Sequence, residues 1–98
     1  MRGALGHDVA RALRRSAEAR GIAAAVSIVA RREWASALFE GARFTIDVSA
    51  DDAPLDDWLA ALPECDLPLK GYFVAGAEVM EHCLPGQATV EILAVLEA

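Results

Sequence analysis

The chain has 98 residues, 55% of them apolar, and a formal net charge of −6 at pH 7. This is the common length of one domain, so we expect residues 1–98 to form a single domain around one core. No apolar stretch reaches the roughly 18 residues of a membrane span, and the N-terminal residues do not follow the pattern of an export signal, which together predict a cytoplasmic protein.

The charges are divided unevenly along the chain. Residues 1–49 carry eight arginines and five acids, whereas residues 50–98 carry one lysine and ten acids. Oppositely charged halves can attract each other within one domain or between two copies. The alternative is that the two sets of charges only solvate separate helix faces.

The first predicted element is a helix over residues 7–20. Val9, Leu13 and Ala17 recur at four-residue spacing, which places them on one helix face. Gly21 follows them, and glycine is the residue that most often takes the left-handed conformation at a helix end.

Two strands are predicted next. In the first, apolar residues at every second position are expected to share one strand face: Ile22, Ala24, Val26, Ile28 and Ala30. The second strand, over residues 43–49, alternates apolar and polar residues, which is typical of a sheet with one buried and one solvated face. Residues 32–41 are ambiguous, because Trp34, Leu38 and Phe39 suit either extended strand ends or one helical turn.

A second helix is predicted after the acidic residues that precede Pro54, and Pro63 is expected to end it. Its apolar residues follow the spacing of a buried stripe: Leu55, Trp58, Leu59 and Leu62. The acids at positions 51, 52, 56 and 57 could bind a cation or form an acid-base pair. Their place at a helix start favours capping and interaction with the helix dipole instead.

The third and fourth strands complete the chain. The third is predicted after Lys70, with helical character in residues 78–83. On this strand we expect two faces, with Phe73 and Val79 opposite Tyr72, Val74 and Met80. Residues 84–87 predict a β-turn with proline and glycine at its centre, and residues 89–96 predict the final strand.

The element order is helix, strand, strand, repeated once. It predicts the α+β class and a two-layer αββαββ sandwich, in which a four-stranded antiparallel sheet carries both helices on one face. The repetition also suggests an internal αββ duplication of residues 7–50 and 52–97. Glycines occupy equivalent places in the two halves: Gly21 with Gly71, and Gly41 with Gly86.

The last strand predicts a second apolar surface. One of its faces is apolar throughout: Ala88, Val90, Ile92, Ala94 and Leu96. On the other face Leu93 and Val95 interrupt polar residues, and a single helix layer cannot cover both faces. We therefore expect a homodimer with this interface: Leu93, Val95, Tyr72 and Val74. The alternative is that loops or the chain termini cover the strand.

Few residues here are suited to catalysis or to metal binding. His82 and Cys83, with Cys65 and His7, are potential zinc ligands, but their spacing matches no zinc-binding pattern. Adjacent strand residues point to opposite faces, which also disfavours His82 and Cys83 as a base and nucleophile. We expect no metal and no cofactor. Two cysteines are typical of a reducing compartment, although a Cys65–Cys83 bridge stays open.

These observations favour a small non-catalytic interaction module that forms homodimers. The alternative is a small-molecule-binding protein or minor enzyme, with a pocket between sheet and helices that uses Arg43, Tyr72, His82 and Cys83. A third hypothesis concerns the basic surface of the first helix: Arg11, Arg14 and Arg15. It would bind an acidic protein or the phosphates of a nucleic acid, and the overall acidity of the chain disfavours nucleic acid.

Overall fold

A computed structural model describes residues 4–50, 55–84 and 86–97, with only the backbone of residues 4 and 82–84. Its elements are α1 (Ala4–Glu18), β1 (Ala25–Ala35), β2 (Glu40–Ser49), α2 (Leu55–Ala61), a 3-10 turn (Leu62–Glu64), β3 (Tyr72–Leu84) and β4 (Gln87–Leu96). No helix in these ranges is long and apolar enough to cross a membrane.

The four strands form one antiparallel sheet in the order β1-β2-β4-β3. The α+β class and the two-layer αββαββ sandwich predicted from the sequence are confirmed. The second strand of each hairpin lies at the centre of the sheet, and the first strand of each lies at an edge. The proposed duplication of residues 7–50 and 52–97 stays a prediction.

Helix α1 ends in the way that its glycine predicts. Gly21 has a φ of 78°, in the left-handed region. Its N–H donates to Glu18 O at 2.9 Å, and the Ile22 N–H donates to Ala17 O at 3.0 Å. These two bonds are the pair that satisfies the last carbonyls of a helix in a Schellman motif. Ile22 and Ala17 are both buried, so the chain turns directly from the helix into the core.

The core lies between the helices and the central strands. Fully buried side chains come from both layers: Val9, Leu13 and Ala17 of α1, Trp58 and Leu59 of α2, Phe44, Ile46 and Val48 of β2, and Val90, Ile92 and Ala94 of β4. One hydrogen bond ties the helices together, since Trp58 Nε1 donates to Ser16 Oγ at 3.0 Å. The alternation predicted for the second and fourth strands is the reason that both supply the core.

The first strand departs from its predicted alternation. A register shift after Ile28 makes Ala30 the partner of Thr45, so Ala30 does not share the face of Ile28, and that prediction was wrong. The shift moves Arg31 to the helix-facing side, where its guanidinium lies 5.3 Å from the centre of the Phe44 ring. Arg31 also donates to Glu33 Oε1 at 2.8 Å.

The ambiguous segment of residues 32–41 forms strand ends joined by a tight loop. Trp34 belongs to β1, and the Ser36 N–H donates to Phe39 O at 2.7 Å, which closes the loop. Leu38 is 83% exposed at its tip. The helical alternative for these residues is excluded.

The third strand continues through the residues expected to have helical character, so that expectation was wrong. Register shifts follow Val74, Val79 and His82. The first shift changes which residues face the helices, so Val79 pairs with the buried Val90 on the helix-facing side. The prediction that Val79 shares the face of Phe73 was therefore wrong.

The two prolines that were expected to end the second helix and to form the last turn are Pro63 and Pro85. Pro63 does not follow the second helix directly, because it lies in the 3-10 turn that extends the helix. In the predicted turn of residues 84–87, Pro85 lies outside the described residues. Gly86 has the expected positive φ, 80°, and a Cβ placed there would approach Ala50 O to 2.6 Å. This position therefore requires glycine for two reasons.

Candidate functional site

One face of the sheet is covered by neither helix of the described residues, and we call it the outer face. At one end of this face, strand pairing sets Trp34, Gly41, Val95 and Phe73 in a row across the four strands. Val95 is only 4% exposed although it lies on this open side, whereas Phe73 remains 43% exposed. With the half-buried Leu93 in the next row, these side chains form an apolar patch.

We call this patch the apolar corner: Trp34, Phe73, Leu93 and Val95. The indole Nε1 of Trp34 is buried and has no hydrogen-bond partner among the described residues. A buried donor without a partner costs about 1–3 kcal/mol, so this indole N–H contributes no stabilising hydrogen bond to the corner.

The middle of the outer face is charged. Arg32 of β1 pairs with Arg43 of β2, and one row further along Glu78 of β3 pairs with Glu91 of β4. Arg43 Nε lies 3.6 Å from Glu91 Oε1, and both side chains are partly exposed to solvent. In the middle of the face the arginines therefore lie on β1 and β2, and the glutamates lie on β4 and β3.

The far end of the outer face is polar. Thr89 Oγ1 donates to Asp47 Oδ1 at 2.9 Å, between the two central strands. Glu81 pairs with Thr89 from the edge strand β3. Along the strands, the outer face thus changes from apolar, through charged, to polar. Its apolar end is the part whose burial would be favoured by the hydrophobic effect.

The predicted interface residues are divided between the two faces of the sheet. Leu93 and Val95 lie on the outer face, as the interruption of the polar pattern predicted. Tyr72 and Val74 pair with Leu96 and Ala94 and pack against the core on the helix-facing side. The four residues do not form one continuous surface, and this corrects the sequence-based interface.

A groove lies at the end of the sandwich where α1 begins. Its volume is about 1330 Å³, and Leu5, Tyr72 and Leu96 supply its apolar and aromatic lining. Charged residues from three elements also line it, among them Asp8 and Lys70. The groove lies between the first described turns of α1 and the ends of the four strands that meet there.

The predicted ligand residues do not share this groove. Tyr72 lines it, but Arg43 lies on the outer face, so the sheet separates the two side chains. His82 and Cys83 lie near the opposite end of β3 from Tyr72, and their side chains are outside the described part of the structure. A pocket built from these residues together is therefore not formed. Their individual roles stay predictions.

The basic residues of the first helix face solvent. Arg11 and Arg15 are exposed and Arg14 is half-buried on α1. Cys65 carries a free thiol that donates to Ala61 O at 3.3 Å. Among the described residues no group of three or more His, Cys, Asp or Glu side chains is arranged to hold a metal ion.

Sequence reasoning missed three contributors to the outer face. Phe73 was assigned to one face of β3 without being included in the interface. Neither Arg32 nor Glu78 was assigned to a site. Only strand order and register bring Arg32 beside Arg43 and Glu78 beside Glu91, so the charge asymmetry between the two halves of the chain was the one signal available.

No protein-family model, no curated protein and no solved structure matches this chain.

Proposed function

We propose that this protein is a small interaction module that self-associates through the apolar corner of its outer face. The carrying observation is Phe73, which is 43% exposed beside the buried Val95 on a sheet face without helices. Large aromatic side chains that stay exposed next to other apolar residues are typical of protein contact sites.

The charges of the same face support a second copy as the partner. A face of one sign would repel its own copy, but here arginines lie on one half and glutamates on the other. A self-complementary surface is what a two-fold dimer requires, because each copy offers the same patch to the other. The sequence-level division of charge between residues 1–49 and 50–98 agrees with this arrangement.

The apolar corner is small, so the dimer is expected to be weak. Only the exposed parts of Phe73 and Leu93 gain burial, and association has an entropic cost that offsets much of the gain. We expect a dissociation constant on the order of 10 to 100 µM.

Sedimentation velocity over about 1 to 200 µM, which spans such a constant, tests the proposal. The wild-type protein should change from monomer to dimer across this range, and Phe73→Glu should remain a monomer because it buries a charge without a partner. Met80→Glu is the matched control, since Met80 lies on the same strand with 53% exposure but is remote from the apolar corner. If the wild-type protein stays a monomer at every concentration, the proposal is wrong.

The groove favours a second candidate function, the binding of a small amphipathic molecule. Leu5, Tyr72 and Leu96 would contact its apolar part, and the charged residues of the groove would contact its polar group. An anilinonaphthalene sulfonate probe tests this candidate by fluorescence titration. Tyr72→Ala should weaken probe binding severalfold, whereas Phe73→Ala, a neighbour on the other face, should not. The reverse result would place the probe at the apolar corner and contradict this candidate.

A further inference from the structure

The outer face contains two cross-strand pairs of like charge. Arg32 and Arg43 lie directly opposite each other on β1 and β2, and Glu78 and Glu91 lie directly opposite each other on β3 and β4. Side chains in such pairs are about 5 Å apart at Cβ, and like charges there destabilise a sheet.

Contacts within one chain only partly compensate this repulsion. Among these four side chains, Arg43 and Glu91 form an ion pair at 3.6 Å, and both remain partly exposed to solvent. An exposed pair of this length contributes little. The monomer therefore holds two arginines together and two glutamates together on a face that also has an apolar end.

We propose that two copies pack outer face to outer face about a two-fold axis that runs along the strands, so that the arginine pair of each meets the glutamate pair of the other. This inference rests on the proposed self-association and adds its orientation. The axis lies between β2 and β4, which places β1 over β3 of the second copy and β2 over its β4.

This axis brings complementary groups together in two places. Trp34 comes over Phe73 of the second copy, because both belong to the first row of the outer face. Arg32 comes over Gly76 of the second copy, whose lack of a side chain leaves room for the guanidinium. The glutamates of the second copy are one row away, about 7 Å along the strands, and packed sheets are about 10 Å apart. Extended arginine and glutamate side chains together span this separation.

The other face-to-face arrangement is unfavourable. A two-fold axis across the strands would place β1 over β1 and β2 over β2 of the second copy. With this axis between the arginine row and the glutamate row, each like-charge pair would lie within one row, about 7 Å along the strands, of the same pair in the second copy, which like-charge repulsion disfavours. Charge therefore selects the axis along the strands.

Charge reversal tests the pairing. The double variant Arg32→Glu, Arg43→Glu and the double variant Glu78→Arg, Glu91→Arg should each self-associate at least about tenfold more weakly than the wild type. An equimolar mixture of the two should recover association to at least the wild-type level. If a reversal lowers the thermal midpoint of the fold, Arg32→Gln with Arg43→Gln replaces it, and an approximately threefold weakening is expected.

The control reverses charges elsewhere on the molecule. Arg11→Glu with Arg15→Glu changes the net charge equally on the exposed side of α1 and should leave self-association within about twofold of the wild type at 0.15 M salt, where distant charges are screened. A wild-type dimer that both outer-face reversals leave unchanged overturns the pairing but not the proposed function. A wild-type monomer overturns both.

Chemical cross-linking tests the orientation. In a background with both native cysteines replaced by serine, Ala30→Cys and Glu78→Cys are made in separate chains and treated with a bis-maleimide of about 10 Å span, the distance between packed sheets. The mixture should give a heterodimeric cross-link, because Ala30 comes over Glu78 of the second copy. Ala30→Cys alone should remain uncross-linked. A cross-link within that sample would indicate β1 over β1 and overturn the proposed axis.

Discussion

The two faces of the sheet are built by the same strands under different constraints. On the helix-facing side, the central positions of β2 and β4 carry buried apolar residues, such as Phe44 of β2 and Val90 of β4. On the outer face, each row has a different character, and most side chains keep contact with solvent, although Val95 is buried. The helices impose one requirement, burial, on the first face. The second face has no such requirement, so its residues vary from apolar to charged to polar along the strands.

The difference also appears in how charge is placed. The helix-facing core contains no buried polar or charged residue among those described. The outer face retains two like-charge pairs that weaken the monomer, and nothing in the fold of a single chain requires them. In the proposed dimer these pairs would meet pairs of opposite charge.

The largest effect should come from truncating the covered face. Phe44→Ala removes a fully buried ring and should lower the free energy of unfolding by about 3–5 kcal/mol. Phe73→Ala removes the same group from the outer face and should lower it by about 1 kcal/mol. Urea denaturation of both variants below about 1 µM, at least tenfold under the dissociation constant of about 10 to 100 µM expected for the dimer, measures the difference. Equal losses would mean that the outer face is as well packed as the core.

Two outer-face glycines should differ next. A Cβ on Gly41 would overlap Ala94 O of the neighbouring strand, whereas a Cβ on Gly76 would have Leu93 Cβ as its nearest neighbour, at 3.9 Å. Gly41→Ala should therefore lower the free energy of unfolding by about 2 kcal/mol or more. Gly76→Ala should leave it unchanged or raise it by about 0.5 kcal/mol, because alanine loses less backbone entropy than glycine on folding. Thermal denaturation measures both, and a destabilised Gly76→Ala would contradict the open packing of that row.

The two tryptophans should differ by a smaller amount. Trp58→Phe removes the hydrogen bond to Ser16 and some buried volume, so the free energy of unfolding should fall by about 1–3 kcal/mol. Trp34→Phe removes an indole donor that has no partner in the described structure, so the change should stay below about 1 kcal/mol. Guanidinium denaturation followed by circular dichroism, which does not depend on indole fluorescence, distinguishes the two.

The smallest effect has opposite signs in monomer and dimer. Glu78→Gln removes one charge of the glutamate pair, and the free energy of unfolding of the monomer should rise by about 0.2–1 kcal/mol at low salt. The same change should weaken self-association by about threefold, since an arginine of the second copy loses its partner. Denaturation of dilute protein and sedimentation of concentrated protein measure the two effects. If Glu78→Gln strengthened both the fold and self-association, or weakened both, the glutamate pair would have no specific role in assembly.

Most of the fold was accessible from local pattern. The four-residue spacing of Val9, Leu13 and Ala17, together with Gly21, predicts both the face and the end of α1, because helix contacts and caps act over a few residues. The alternation in β2 and β4 is equally local, and the structure confirms the buried faces that it predicts.

The candidate site was accessible only in part. Leu93 and Val95 were identified as the apolar interruption of the last strand, because a two-residue period is visible without knowing the neighbours. Tyr72 and Val74 were placed beside them wrongly. The two-residue period shows which residues of β3 share a face, but only the pairing of β3 with β4 shows that the face of Tyr72 and Val74 meets the helices.

The sequence by itself determined the class of fold, the order of the elements and the two central strands, since these depend on periodicity and turn residues that act at short range. Tertiary structure alone decided that Arg32 lies beside Arg43, that Glu78 lies beside Glu91, and that Phe73 stays uncovered. Those pairings join residues far apart in the chain, and their register is set by bulges and by packing against the helices, which no local pattern contains.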